Sequence, residues 1–176
     1  RDLLKAASAL ALGASLPSPL VAATGPKGMT LAITRSGRIR GDVEDGIHAF
    51  RGIPYGADTA PRRFQPAVLE PPWQGIRDAT RFGAAAPQTG NGGPGSEDCL
   101  FLNVATPALR DGARRPILVY VHGGGFNNGS GSDPITEGAR LCRRGDIVVL
   151  TLNHRLNAFG YLYLADRKSD MVISGG

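Results

Sequence analysis

Cysteine is scarce: Cys99 and Cys142 are the only two in 176 residues, enough for one disulfide at most, so no disulfide framework defines the fold. Neither stands in a metal-ligand spacing, and His48, His122 and His154 are far apart along the chain. No metal is therefore expected. Aromatic residues make up only 6%, a single Trp with four Tyr and six Phe. That scarcity bears on the formal charge of +5, because a nucleic-acid surface needs basic residues clustered on one face with aromatics between them. The arginines come instead as scattered pairs, Arg62-Arg63, Arg114-Arg115 and Arg143-Arg144, which suit a solvated basic surface and no nucleic-acid partner.

Three phosphate, cofactor and nucleophile patterns are also missing. No Lys followed by Ser or Thr closes a phosphate-binding glycine loop, and Asn128 stands where a dinucleotide loop needs its third glycine. No cofactor is expected. The G-x-S-x-G of a serine nucleophile elbow occurs nowhere.

What is present begins with "RDLLKAASALALGASLPSPLVAA". A basic start, an Ala/Leu run, a proline-marked break and a small-residue end follow the order of an export signal. The apolar run is too short to span a membrane, and "RDLLK" is similar to the second half of a twin-arginine signal. Residues 1–23 are read as that signal and 24–176 as the mature part, exported to the periplasm or secreted. The first residue is Arg and the last are "VISGG", so the chain is read as a fragment.

Further on, "MTLAITRSGRIRGDV" alternates about Ser36-Gly37, a hairpin pattern. From "FRGIPYG" to "APQTGNGGPGS" the dense Pro and Gly predict long surface loops. "CLFLNVATP" reads as a short strand, and "PILVYVHG" and "DIVVLTLN" as strands covered on both faces. Between those two, "SDPITEGARLCRRG" predicts a helix with Asp133 as N-cap, Pro134 at its first position and Gly145 past its end. Ile135, Ala139 and Cys142 share one face of it, which buries Cys142. Strand, helix and parallel strand make a β-α-β crossover, and the fold class is α/β with a mixed, mostly parallel central sheet.

"HGGGF" stands at the carboxyl end of a strand, where open α/β sheets bind ligands. A plain glycine turn is the simple reading. The chemical one is an oxyanion loop, because ester hydrolysis by a serine passes through a tetrahedral oxyanion that adjacent bare amides can hold.

Five segments now combine. "FRGIPYG", "RRFQP", "SEDCLFLNV", "VYVHGGGFNNGSGS" and "GDIVVLTLNHRLNAFGYL" resemble, in order and spacing, motifs of the type-B carboxylesterases, the cholinesterase-like family. The match covers about Gly28 to Gly176. It implies the amino-terminal portion of an α/β-hydrolase fold and a serine carboxylic-ester hydrolase acting on a small-molecule ester. Gly124 and Gly125 would supply oxyanion amides, with His122, Gly123 and Phe126 supporting the loop. Arg63 and Glu97 are expected to form a buried ion pair. The family's nucleophile, acid and base histidine match no position here, so this chain alone is expected to be inactive.

Three departures from the family pattern are visible. Ala86 stands where the family usually has the Cys that pairs with the equivalent of Cys99, so Cys99 is expected to be a free buried thiol. Asn153-His154-Arg155 replaces Asn-Tyr-Arg, and Leu156-Asn157 replaces Leu-Gly. A non-catalytic cholinesterase-like binding or adhesion module is the alternative from another class, and an unfolded truncated product is a further one.

Overall fold

The computed structural model describes residues 28–89, 95–134 and 138–159. The export signal expected at 1–23 and the residue Ile135 lie outside them. β1 (Gly28–Ile33) and β2 (Arg38–Glu44) form the expected antiparallel hairpin. Its turn is closed by Thr34, whose N–H donates to the Gly37 carbonyl (2.9 Å) and whose hydroxyl donates to the same oxygen (2.7 Å). A short side chain that can stand in for backbone bonds is what a tight turn selects.

β3 (Ile47–Pro54) corrects the loop reading of "FRGIPYG", most of which is strand. The Gly and Pro that hid the period belong to an irregularity: β3 pairs antiparallel with β5 (Phe101–Thr106), and the register shifts between Phe50 and Ile53. Gly52, at φ +69°, occupies that shift and donates its N–H to the Asn103 side chain (2.9 Å). A β-bulge of this kind takes a left-handed glycine and breaks the two-residue alternation on which a strand is recognised. The described residues of 55–89 and 95–100 are mostly irregular, with a three-residue β4 (Ile76–Asp78) alongside β2.

β6 (Ile117–Val121) and β7 (Val148–Leu152) pair in parallel across α1 (Ala139–Gly145), the expected crossover. The helix itself departs from its sequence pattern. Its N-cap is Gly138, Asp133 lies well before it, and Gly145 is its last residue. Asp146, left-handed at φ +47°, closes it by donating its N–H to the Cys142 carbonyl, a role asparagine and aspartate can fill in place of glycine. Close packing sets the start: a Cβ on Gly138 would strike the Val149 side chain.

The strands make one mixed sheet in the order β1-β2-β3-β5-β7-β6, with β4 beside β2. Among the described residues parallel pairing between strands is confined to β6–β7 and β2–β4, with an isolated parallel bridge from Arg51 to Thr80, and the other strand pairs are antiparallel. The sheet is mixed, as expected, and among the described residues antiparallel pairs predominate because one crossover helix serves this part and hairpins or loops make the remaining turns.

β7 alternates, burying Val149 and Thr151. Val149 packs with Ile47, Ala105 and Cys142 beneath α1. β6, expected to be covered on both faces, is instead 40–65% exposed at all five positions. It is the outermost strand of the described sheet, so among the described residues no neighbour lies on its free side. Cys99 and Cys142 are both free and fully buried. Cys99 shares a cluster with Ala86, Leu100 and Leu156, and burial, reinforced by the Asp98 charge, pushes its thiol up to about 11.

Candidate active site

The parallel strands bring Val121 and Leu152 into register at one end of the sheet, and the glycine loop leaves from there. Gly124 at φ +123°, Gly125 at +58°, Phe126 at +59° and Gly129 at +112° make it a largely left-handed path. A Cβ on Gly124 would land on the backbone and side chain of Asn128, and one on Gly129 would enter the His122 ring, whereas the space around Gly125 is open. Glycine is therefore forced at Gly124 by contact as well as conformation, and at Gly125 by conformation alone.

The carbonyls of the loop decide where its amides point. Gly124's carbonyl accepts from the N–H groups of Asn127 (3.0 Å) and Asn128 (3.3 Å). A trans peptide sets its N–H opposite its C=O, so the Gly125 N–H faces away from that turn. The Gly123 carbonyl lies 2.9 Å from His122 Nδ1. A carbonyl only accepts, so Nδ1 carries the proton, and the Gly124 N–H faces away from the ring. Among the described residues neither amide donates to a protein acceptor. Two consecutive unpaired donors with tethered carbonyls form a local nest for an anion.

His122 itself is buried, and burial holds its pKa below the ordinary histidine value of 6.5, an effect that the charge of His154 reinforces and the Gly123 hydrogen bond partly offsets. Its ring stacks on His154, and the Phe126 ring meets His154 edge-on at 6.1 Å. His122 and Phe126 thus frame the loop through His154, which the sequence presents as a departure from the family pattern.

Three further residues hold the loop and were not singled out from sequence as site residues. Gln88 clamps Gly129 at both ends, its Oε1 accepting the N–H (2.8 Å) and its Nε2 donating to the carbonyl (3.0 Å). Asn153, nearly buried, accepts the Gly131 N–H (2.8 Å) and the Ser130 hydroxyl (3.1 Å) and donates to the Ala84 carbonyl (2.9 Å). Asn157 reaches Phe126 and Asn127. The signals available were the Gln of "APQ" and the two Asn of "LNHRLN", ordinary polar residues until their partners are known.

Arg63 and Glu97 meet as a two-pronged pair: Arg63 Nε donates to Glu97 Oε2 (2.6 Å) and its Nη2 donates to Oε1. The expected burial is corrected. The Arg63 side chain is 52% exposed and that of Glu97 13%, and the guanidinium lies over the Phe159 ring, 5.3 Å from its centre. The pair joins the segment before Phe64 to the one before Cys99. Among the described residues it makes no hydrogen bond or ion pair with the glycine loop. Among the described residues no cluster of three or more His, Cys, Asp or Glu could hold a metal, and no helix is long and apolar enough to cross a membrane.

The profile of the carboxylesterase family matches residues 29–171. The chain belongs to the carboxylesterase family. Among curated relatives of this family, the para-nitrobenzyl esterase of Bacillus subtilis is 36% identical over 146 residues, covering 77% of this chain and 29% of that protein. The phenmedipham hydrolase of Pseudarthrobacter oxydans is 40% identical over 144 residues, with 75% and 29% covered. The chain thus spans under a third of the length of these carboxylesterase relatives. A crystal structure of a carboxylesterase from Geobacillus stearothermophilus superposes with a TM-score of 0.71 at 43% identity, over 76% of this chain and 28% of that one. The carboxylesterase fold, an α/β hydrolase, accounts for the mixed sheet with few helices.

Proposed function

We propose that this chain is the oxyanion-loop portion of a serine carboxylic-ester hydrolase, acting on small-molecule esters and exported by the signal read at residues 1–23. The observation that carries the reading is the pair of unpaired amides at Gly124 and Gly125, whose carbonyls are tied back by His122 and by Asn127 and Asn128. Donors already oriented before the reaction cost no reorganisation when negative charge develops on the ester oxygen. The names of the relatives support an ester substrate.

In the proposed mechanism a serine attacks the ester carbonyl, a histidine takes its proton, and the carbonyl oxygen becomes an oxyanion held by the Gly124 and Gly125 N–H groups. The serine, its histidine and the orienting carboxylate come from outside these 176 residues, which contain no G-x-S-x-G. His122 is not the base in this reading. Its Nδ1 proton is committed to Gly123, and its lowered pKa keeps the ring neutral and polar at pH 7. The chain on its own is inactive in this reading.

The most direct test removes one donor without adding a side chain, at the cost of a somewhat weaker acceptor at the Gly124 carbonyl. Incorporating glycolic acid in place of Gly125 in the complete hydrolase turns that amide into an ester linkage and deletes the N–H without adding a side chain. Loss of one such donor is expected to lower kcat on a p-nitrophenyl ester about 10²- to 10³-fold. Unchanged kcat in the folded variant would refute the assignment and leave the non-catalytic binding module as the better reading.

A further inference from the structure

We infer that Asn157 is a positioning residue for the oxyanion loop, acting through a two-stranded hydrogen-bond relay that ends on the Gly125 amide. This inference rests on the proposed oxyanion role of that amide. Asn157 has two donors aimed at the loop: its backbone N–H donates to the Phe126 carbonyl (2.9 Å), and its side-chain Nδ2 donates to the Asn127 carbonyl (3.1 Å). Those carbonyls belong to consecutive peptide units, Phe126–Asn127 and Asn127–Asn128. The far ends of the same two units, the N–H groups of Asn127 and Asn128, both donate to the Gly124 carbonyl.

Each link follows from peptide planarity. A trans unit gripped at its C=O presents its N–H on the opposite side, so Asn157 aims both amides at one oxygen. That oxygen in turn sets the Gly125 N–H opposite itself. Hydrogen bonds in series polarise one another, which strengthens the terminal donor as well as directing it. The side chain also donates to the Pro87 carbonyl (3.4 Å), joining the loop to the segment whose Gln88 clamps Gly129. Asn157 can present both donors at once because its backbone is left-handed, at φ +55°, a conformation that asparagine tolerates better than most residues with a side chain.

Two substitutions separate the backbone half of the relay from the side-chain half. Asn157→Gly keeps the left-handed backbone and its N–H but deletes the carboxamide. Asn157→Asp keeps shape and conformation but sets an acceptor against the Asn127 carbonyl. In the complete hydrolase both should speed deuterium exchange in a peptide covering 122–129, leave peptides from β5 and β7 unchanged, and lower kcat on a p-nitrophenyl ester about three- to tenfold with KM within about twofold. A kcat effect without a KM effect marks a contact realised in the transition state, which a merely structural role would not single out. Asn157→Asp should be the slower of the two.

The glycolic acid variant at Gly125 runs in parallel. If that variant loses kcat while both Asn157 variants keep wild-type kcat, the relay is overturned and the oxyanion reading stands. If it keeps full kcat, the oxyanion reading falls, and exchange at 122–129 then decides the relay alone: faster exchange supports it, wild-type exchange overturns it.

Discussion

The rings of His122 and His154 lie stacked, 4.4 Å between centroids and 7° from parallel. His122 directly follows the strand that leads into the glycine loop, and His154 follows the neighbouring strand, so the contact joins the two parallel strands just beyond their register. His122 donates from Nδ1 to the Gly123 carbonyl, and His154 Nδ1 lies 2.9 Å from the Arg155 carbonyl. Both rings thus use the same edge on the next residue's backbone, leaving their faces to each other and the His154 ring to the edge of Phe126.

Burial and the His154 charge hold the His122 pKa below 6.5, so the unfolded chain binds this proton more readily than the folded one. Stability attached to neutral His122 is present above pH 6.5 and is lost as pH falls through the lowered native value. His154→Phe keeps an aromatic stack and removes the charge, so it should raise the His122 pKa while burial still holds it below the ordinary value. Deuterium exchange at the imidazole C2 proton against pH, read by mass spectrometry, gives that pKa directly. An unchanged or lower value would refute the coupling.

Asn153 should be the most sensitive polar position near the site. Replacing it by Ala leaves the Gly131 N–H and the Ala84 carbonyl, both now satisfied by its carboxamide, without their partner. The Gly131 amide is buried, and a buried group left unpaired costs about 1–3 kcal/mol, whereas Ala84 is exposed and its carbonyl can turn to water. Asn153→Ala is therefore expected to destabilise by about 1–3 kcal/mol in urea unfolding. Asn153→Asp should retain the accepting half and fall between the wild type and Asn153→Ala.

The Arg63–Glu97 pair should show its pH dependence more clearly than its size. Hydrogen bonding to the guanidinium, with its charge, holds the Glu97 carboxyl below the ordinary value of 4.5. Stability from the pair is present above pH 4.5 and lost as pH falls through the lowered value. Arg63→Ala is expected to lower the thermal midpoint at pH 7 by less than Asn153→Ala does, since the arginine is half exposed and such pairs are screened. Its effect should fade in acid. An effect that persists at pH 3 would assign the loss to the contact with Phe159 instead of to charge.

Cys99 should resist thiol reagents in the folded protein. Its thiol is fully buried and pushed up to about 11, whereas the reactive form is the thiolate. At pH 8 a disulfide-exchange reagent should label Cys99 only after denaturant is added. Rapid labelling in the native state would contradict its packing with Ala86, Leu100 and Leu156.

Much of this was written locally. The alternation about Ser36-Gly37, the apolar runs at 117–121 and 148–152 and the glycines after His122 each declare themselves within a few residues. Hairpin, parallel pair and glycine loop stand where that text implies them. Side-chain period and the conformational freedom of glycine are short-range properties, so a window of ten residues carries them. Other features depended on partners distant in the chain. The bulge at Gly52 donates its N–H to the Asn103 side chain, and Val149 packs against Gly138 at the start of α1. Gln88 reaches Gly129 across 41 positions, and Asn157 reaches Asn127 across 30. An asparagine or glutamine has the same donors and acceptors wherever it stands. Only the folded sheet, by bringing the ends of β6 and β7 together, decided which carbonyls they would hold and so which way the Gly124 and Gly125 amides face.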